Sequence, residues 1–523
     1  MSTRLYHAPR DVHGAARFPR HADLAQRGYG PGQRLSFGYA RADADGRKAQ
    51  EVSYGGVRHV NYFAPNRSGK GVTLMRHALQ HTGSLVHVAL RPEEAAVYAR
   101  YRKEVLGQRV VLLDPCDAVA SELGFEADTI NLMDVVRGAG PGFFEAVATM
   151  ADGMMIPDDH GEAFWQNAGL DALGLALARA AIEGDEPTVF DGVDLFNMTG
   201  DELARTLGGT WEATEGDEPP RKIADGLVDA ADPLVRGAAR RLAGNAQKTL
   251  ANILATVRAN TWVWDSPTLA RAFGTSSFDL TELAKGRMTI VIAFPSDVAR
   301  FYAVVIRLVV LMCMHVVSRS RAFPDPPCLY LWDEIAMCGH SRQLIDTIGM
   351  QAGDGNQIVT VWQDVSQAKR VYGDAWETFV ANAGMTVVFG TSDLETLRYF
   401  SALSGTADVR TKTAESARAQ QEALRGHAYL STDDRTQGRP LLPPAFLQTL
   451  APHEAVFFPA GSSPVVGYKA PYFLDAMFRD RRGAPVFESP PRYRDKPPAP
   501  AIDFRAHNEE RLAQLLAAAI PPS

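Results

Sequence analysis

Seven short apolar, β-rich runs set the limits on what this chain can fold into, because most of them are followed directly by a segment with helical spacing. They are "VRHVNYFA" (57–64), "SLVHVAL" (84–90), "RVVLLDP" (109–115), "MTIVIAF" (288–294), "CLYLWDE" (328–334), "QIVTVW" (357–362) and "MTVVFG" (385–390). Strands that alternate with helices are joined by crossovers, which make neighbouring strands parallel and put helices on both faces of the sheet. The expected fold class is α/β with a central, mostly parallel sheet. Between the third and fourth runs the strand signal stops, and stretches such as "FWQNAGLDALGLALARAAIE" and "NAQKTLANILATVRAN" carry apolar residues at helical spacing, predicting an all-helical insertion over 141–276. A chain of 523 residues exceeds one ordinary core. The expected division is a lead-in over 1–55, a sheet domain over 56–140 and 277–483, the helical insertion, and a proline-rich tail over 484–523. That tail closes with "EERLAQLLAAA", a short amphipathic helix suited to docking on the body or on a neighbour.

Charge and cysteine usage exclude several classes. With 54 Lys and Arg against 61 Asp and Glu, the molecule does not coat itself with nucleic acid, and any such contact is local. Cys116, Cys313, Cys328 and Cys338 form no CxxC pair, so they read as reduced core thiols in a reducing compartment. The N-terminal residues Arg4, Arg10, Asp11, Arg17, Arg20 and Asp23 have no apolar run between them, so no signal peptide or anchor is expected there. The most apolar stretch, "FYAVVIRLVVLMCMHVV" (301–317), is shorter than the roughly 20 residues of a bilayer span and holds Arg307 near its middle. A buried helix in a soluble, cytoplasmic chain is the expectation.

The first run ends in "APNRSGKGV", Ala64, Pro65, Asn66, Arg67, Ser68, Gly69, Lys70, Gly71 and Val72, between a strand and a helix. A phosphate loop uses small residues so that backbone N–H groups reach phosphate oxygens, a lysine to meet the terminal phosphates, and a hydroxyl to hold magnesium. Gly69 and Lys70 fit. Ala64 stands where the first glycine belongs and Gly71 where the hydroxyl belongs, leaving Ser68 and Thr73 as the nearby hydroxyls. A strand-ending Asp333–Glu334 pair matches a metal-orienting acid followed by a water-activating base, and Gln363 ends a further strand where an amide can sense phosphate or place water. Each is an ordinary strand end when taken alone. Their common position at the C-terminal ends of expected parallel strands, where open α/β sheets bind ligands, joins them.

These residues resemble the coupling proteins of conjugation and type IV secretion, the TraG/TraD type. The resemblance runs from "HGAARF" (13–18) to "YKAPYFLDAMF" (468–478) and is densest in "APNRSGKGV", "FWQNA" (164–168), "LYLWDEIAMCG", the block 361–405 and "RPLLPPAFLQTL" (439–450). It implies a RecA-like P-loop NTPase domain, a hexameric ring, and ATP with Mg2+ as cofactors. It also implies that Lys70 binds the terminal phosphates, Asp333 orients magnesium through water, Glu334 activates the hydrolytic water, and Gln363 couples phosphate state to motion. The secretion branch resembles APTRSGKG at the loop, so Ala64 and Gly71 follow a family variant. Three departures stand out. "ALRPE" (89–93) replaces the family's DPKGE; "AGDGN" (352–356) lacks the arginine that reaches a neighbour's nucleotide, leaving Arg342, Arg370 and Arg398 as substitutes; and the match begins near Met1, without the usual membrane helices.

Other groups read more plainly. Arg236, Arg240 and Lys248 recur at helical spacing with Arg241 beside them, a stripe that is either a solvated face or a nucleic-acid contact. Trp262 and Trp264 read as core anchors, "DDHGE" (158–162) as a polar loop, and the two "EGDEP" stretches (183–187 and 215–219) as acidic loops. Two functions follow from the resemblance. One is an ATP-driven motor that delivers single-stranded DNA, bound relaxase or effector protein to a type IV secretion channel, recruited to the inner membrane by an anchoring partner. The other is a docking receptor that keeps nucleotide binding without useful hydrolysis.

Overall fold

The computed structural model describes residues 16–41, 49–156, 163–212, 221–350, 353–411, 435–494, 499–507 and 509–519. Its strands, in chain order, are β1 (Leu35–Ala40), β2 (Gln50–Tyr54), β3 (His59–Phe63), β4 (Leu85–Ala89), β5 (Arg109–Leu113), β6 (Thr210–Glu212), β7 (Arg221–Ala224), β8 (Met288–Ala293), β9 (Cys328–Trp332), β10 (Asn356–Trp362), β11 (Ala383–Val388), β12 (Thr406–Thr411), β13 (Arg435–Pro440), β14 (Glu454–Pro459) and β15 (Val465–Lys469). Eleven of them form one sheet in the order β2-β1-β15-β14-β11-β3-β10-β9-β4-β8-β5. All seven apolar runs are strands of this sheet, and from β11 to β5 every pairing is parallel.

Side chains alternate between the faces, as the two-residue strand period requires. Val86, Val88, Ile290 and Ile292 enter one apolar cluster, while Leu85, Ala89, Val291 and Ala293 enter a second on the opposite face. A strand covered on both sides needs apolar residues at every position, which is why these runs are continuous.

Beyond β11 the sheet continues with β14, β15, β1 and β2, all antiparallel. From the lead-in, β1 and β2 thus belong to the sheet itself, and sequence reading missed this flank. Hairpin-joined strands have no helix after them to mark them. Two of the strands also contain a glycine that close backbone approach demands: a β-carbon at Gly38 would lie 2.1 Å from the Tyr468 carbonyl oxygen, and one at Gly467 would lie 2.3 Å from that of Tyr39.

The inserted segment contains the helices Phe143–Met154, Ala163–Glu183, Val189–Asn197, Gly200–Gly208, Pro233–Ala243, Gln247–Thr261 and Pro267–Phe273. It is not wholly helical, because β6 and β7 pair as a small antiparallel ribbon. Its core is continuous with the sheet's: Ala146, Met150 and Leu173 share one apolar cluster with Ile290 and Leu308. The apolar run 301–317 forms the buried helix Ala303–Ser318. Arg307 on that helix is 1% exposed and donates to the carbonyls of Cys338 and His340 and to the Asp152 carboxylate, which explains a charge inside so apolar a segment. Among the described residues no helix is long and apolar enough to cross a membrane.

The C-terminal helix Glu509–Ala519 docks on the body: Leu512 and Leu516 are buried against the cluster that holds Tyr39, Tyr468 and Phe504. The "DDHGE" stretch and the second "EGDEP" stretch lie outside the described residues.

Candidate functional site: a phosphate loop, an acidic pair and two glutamines

The loop leaves β3 pinned to the sheet, with Ala64 N–H donating to the Trp362 carbonyl at 2.8 Å. It then turns sharply. Arg67 and Gly69 both have left-handed backbone, with φ of 62° and 87°. Nothing lies within 4 Å of a β-carbon placed on Gly69, so conformation rather than space calls for glycine there. The helix Lys70–Gln80 begins immediately after, and its first N–H groups and macrodipole favour an anion at this end. Thr73 turns its hydroxyl back to the Gly69 carbonyl at 3.5 Å, whereas the buried Ser68 hydroxyl has no hydrogen-bond partner.

Across the cleft, β9 ends and releases Asp333 and Glu334. Lys70 Nζ lies 3.8 Å from Asp333 Oδ1, 3.4 Å from the Asp333 carbonyl and 3.3 Å from Glu334 Oε2. Gln363, at the end of β10, donates to Glu334 Oε2 at 3.1 Å. The four predicted residues therefore meet at one point above the parallel strands. Burial pushes the Asp333 carboxyl above its ordinary value, opposed by Lys70 and Arg91 and reinforced by Glu334.

Three contributors escaped sequence reading. Gln367 donates to Glu334 Oε1 at 2.7 Å and accepts from Gln363 N–H at 2.9 Å, so two amides hold the two carboxylate oxygens of Glu334. Its signal was the spacing "QDVSQ", which puts a second amide in the first turn of the following helix. Arg91 and Glu94 come from the departing "ALRPE" region. The Arg91 guanidinium lies 3.4 Å from Glu94 Oε1 and 4.0 Å from Asp333 Oδ2.

Cavities flank the loop on both sides. One of about 600 Å³ is lined by Pro65, Arg67, Gly69, Val72, Thr391 and Phe473, among others. Another of about 530 Å³ is lined by Asn66, Lys70, Arg91, Arg300, Asp333 and Glu334. The buried ammonium of Lys469, on β15, braces the loop from behind, donating to the Ser68 carbonyl at 3.0 Å and standing 3.7 Å from the centre of the Phe389 ring.

Of the other candidates, only Arg370 stands near these residues. Of the substitute arginines, Arg370 lines a further cavity with Glu334 and Gln363, while Arg398 is paired with Glu395 at 3.9 Å. The basic stripe is broken, because Gly244–Ala246 separate the helix that carries Arg236, Arg240 and Arg241 from the one that carries Lys248. Arg236 donates to the carbonyls of Ala230 and Ala231, Arg240 to that of Val228, and Arg241 pairs with Asp171. Arg236 and Arg240 thus brace the turn over 228–231, and Arg241 meets the neighbouring helix Ala163–Glu183. Trp264 is the core anchor expected, at 2% exposure between Phe190 and Phe273, but Trp262 is 56% exposed.

Residues 33–494 match the family model described as type IV secretory system conjugative DNA transfer. The chain belongs to this family. Among curated members of this coupling-protein family, it is 26% identical over 487 residues to a conjugal transfer protein TraG of Escherichia coli, covering 87% of this chain and 72% of that one. Its fold is similar to that of plasmid coupling protein TrwB in complex with the non-hydrolysable ATP analogue ADPNP, with a TM-score of 0.58 at 15% identity, covering 91% of this chain and 96% of that one. The TrwB complex with ADP and Mg2+ gives 0.59 at 16% identity, with coverages of 89% and 96%. The fold is thus RecA-like, a P-loop sheet domain with helical additions, as the resemblance implied.

Proposed function

We propose that this chain is an ATP-hydrolysing coupling protein that drives DNA, or a protein cargo, into a type IV secretion channel. The observation that carries the reading is the convergence of Lys70, Asp333, Glu334 and Gln363 at the N-terminus of the loop helix. In this reading the triphosphate lies on the loop from Ala64 to Val72. Lys70 meets the terminal phosphates, and the larger cavity beside Val72, Thr391 and Phe473 takes base and ribose. Glu334, aimed by Gln363 and Gln367, holds and activates the attacking water.

The residues present fit Mg2+. Asp333 Oδ1 is buried and accepts no hydrogen bond, and a carboxylate oxygen is the ligand type that a hard cation takes. Asp333 is the residue that would hold it, since magnesium sites use one or two carboxylates together with substrate phosphates. When bound, it neutralises phosphate charge and orients the terminal group.

Hydrolysis occurs in a hexameric ring whose neighbouring subunit adds an arginine. The sheet domain over 56–140 and 277–483 is the motor, and the insertion over 141–276 selects cargo. Membrane recruitment is through a partner. The test is steady-state ATP turnover with and without single-stranded DNA, beside Lys70→Ala and Glu334→Gln. Turnover that rises with DNA and is lost in both variants supports the motor. A low rate unchanged by DNA and by both substitutions favours a nucleotide-binding docking receptor.

A further inference from the structure

Gly71 leaves the loop without its usual magnesium-binding hydroxyl, and the surroundings of that glycine show what occupies the space. A β-carbon at position 71 would lie 2.6 Å from Glu94 Oε1 and 3.1 Å from Oε2, so both carboxylate oxygens stand against the face of the helix where a serine or threonine side chain would project. Glu94 is buried, on the turn Pro92–Val97 that follows β4. The guanidinium of Arg91 reaches both Glu94 and Asp333, so a single positive group already spans the two carboxylates. The Arg91 side chain is 39% exposed and lines the cavity that holds Lys70, so it can withdraw toward phosphate without crossing the core. Asp333 Oδ1, buried beneath it, accepts no hydrogen bond.

We propose that Glu94 supplies the metal-side oxygen absent at Gly71, so that Glu94 and Asp333 together hold the divalent cation of the bound nucleotide, with Arg91 bridging them when the nucleotide is gone. Magnesium sites commonly use one or two carboxylates together with substrate phosphates, which matches this pair. The "ALRPE" segment, a departure from the family pattern, then forms part of the site: its arginine and the adjacent Glu94 act at the position that Gly71 vacates.

This inference rests on the nucleotide-site reading, and the experiment separates the two. Mn2+ is titrated by electron paramagnetic resonance with a non-hydrolysable ATP analogue present, for the unaltered chain, Glu94→Gln, Glu94→Ala, Gly71→Thr and the double variant Gly71→Thr/Glu94→Ala. Metal-free binding of a fluorescent nucleotide and the thermal midpoint are measured in parallel. We expect Glu94→Gln to weaken Mn2+ by at least about 10-fold, because losing even an outer-shell partner of a metal site costs about 10- to 100-fold, with metal-free nucleotide affinity not reduced. Threonine at 71 restores Mn2+ affinity when alanine has cleared position 94, and fails when Glu94 remains. Equal Mn2+ affinity in the unaltered chain and Glu94→Gln overturns the proposal, as does a double variant no better than Glu94→Ala alone. That second comparison decides the matter if Glu94→Gln fails to fold. If no variant, including the unaltered chain, binds the nucleotide, the nucleotide site falls and this proposal with it.

Discussion

Asp333 is held in its cleft against its own preference for water. Burial raises its pKa above the ordinary value, and Lys70 and Arg91 only partly offset this. A carboxyl that is easier to protonate folded than unfolded contributes stability that is fully present below its unfolded pKa and lost as pH rises through its folded one. Wherever the ionised form is populated in the folded chain, it therefore lowers stability. Asp333→Asn should raise the thermal midpoint at pH 7, the gain should shrink as the pH falls toward 4, and metal-dependent nucleotide binding should fall. Melting curves over that pH range check the sign. Lys70, Asp333, Glu334 and Gln363 were legible in sequence because Asp333, Glu334 and Gln363 follow strand ends and Lys70 opens the helix after the β3 loop, positions that the parallel topology fixes in advance. Gln367, Arg91 and Glu94 were not, because they stand on turns and a helix start whose direction only tertiary packing sets.

At the scale of elements, the antiparallel flank anchors the helix Lys70–Gln80. Arg76, fully buried on that helix, donates to Asp475 at 2.7 Å, to the Ser36 carbonyl at 3.2 Å and to the Ala470 carbonyl at 3.2 Å. Tyr39 donates to the same Asp475 carboxylate at 3.1 Å. Removing one partner of a buried ion pair strands the other, at a cost of about 3–5 kcal/mol. Arg76→Met should therefore lower unfolding free energy by that order in a denaturant titration, although Arg76 lies more than a turn and a half beyond Lys70. The parallel strands were readable because burial on both faces makes them continuous apolar runs. The flank was not: β1, β2, β14 and β15 are drawn from opposite ends of the chain and joined edge to edge, and Gly38 and Gly467, which let their backbones approach, weaken the local strand signal.

Over the whole molecule, the helical insertion is mechanically continuous with the site. Arg307 ties Asp152, at the end of the helix Phe143–Met154, to the carbonyls of Cys338 and His340, four and six residues beyond Glu334. In the proposed motor, a movement of the acidic pair would have this route into the insertion, where Arg236 and Arg240 brace the turn over 228–231. That sharing of one core could not be seen from composition, which registers only where strands give way to helices. The measurement that bears most directly on the account is calorimetric titration of a non-hydrolysable ATP analogue with Mg2+ into the full chain and into Lys70→Ala. The account predicts one site per chain, weakened at least about tenfold by the substitution, as loss of a charge-assisted phosphate contact entails. Equal affinity in the two proteins would contradict it.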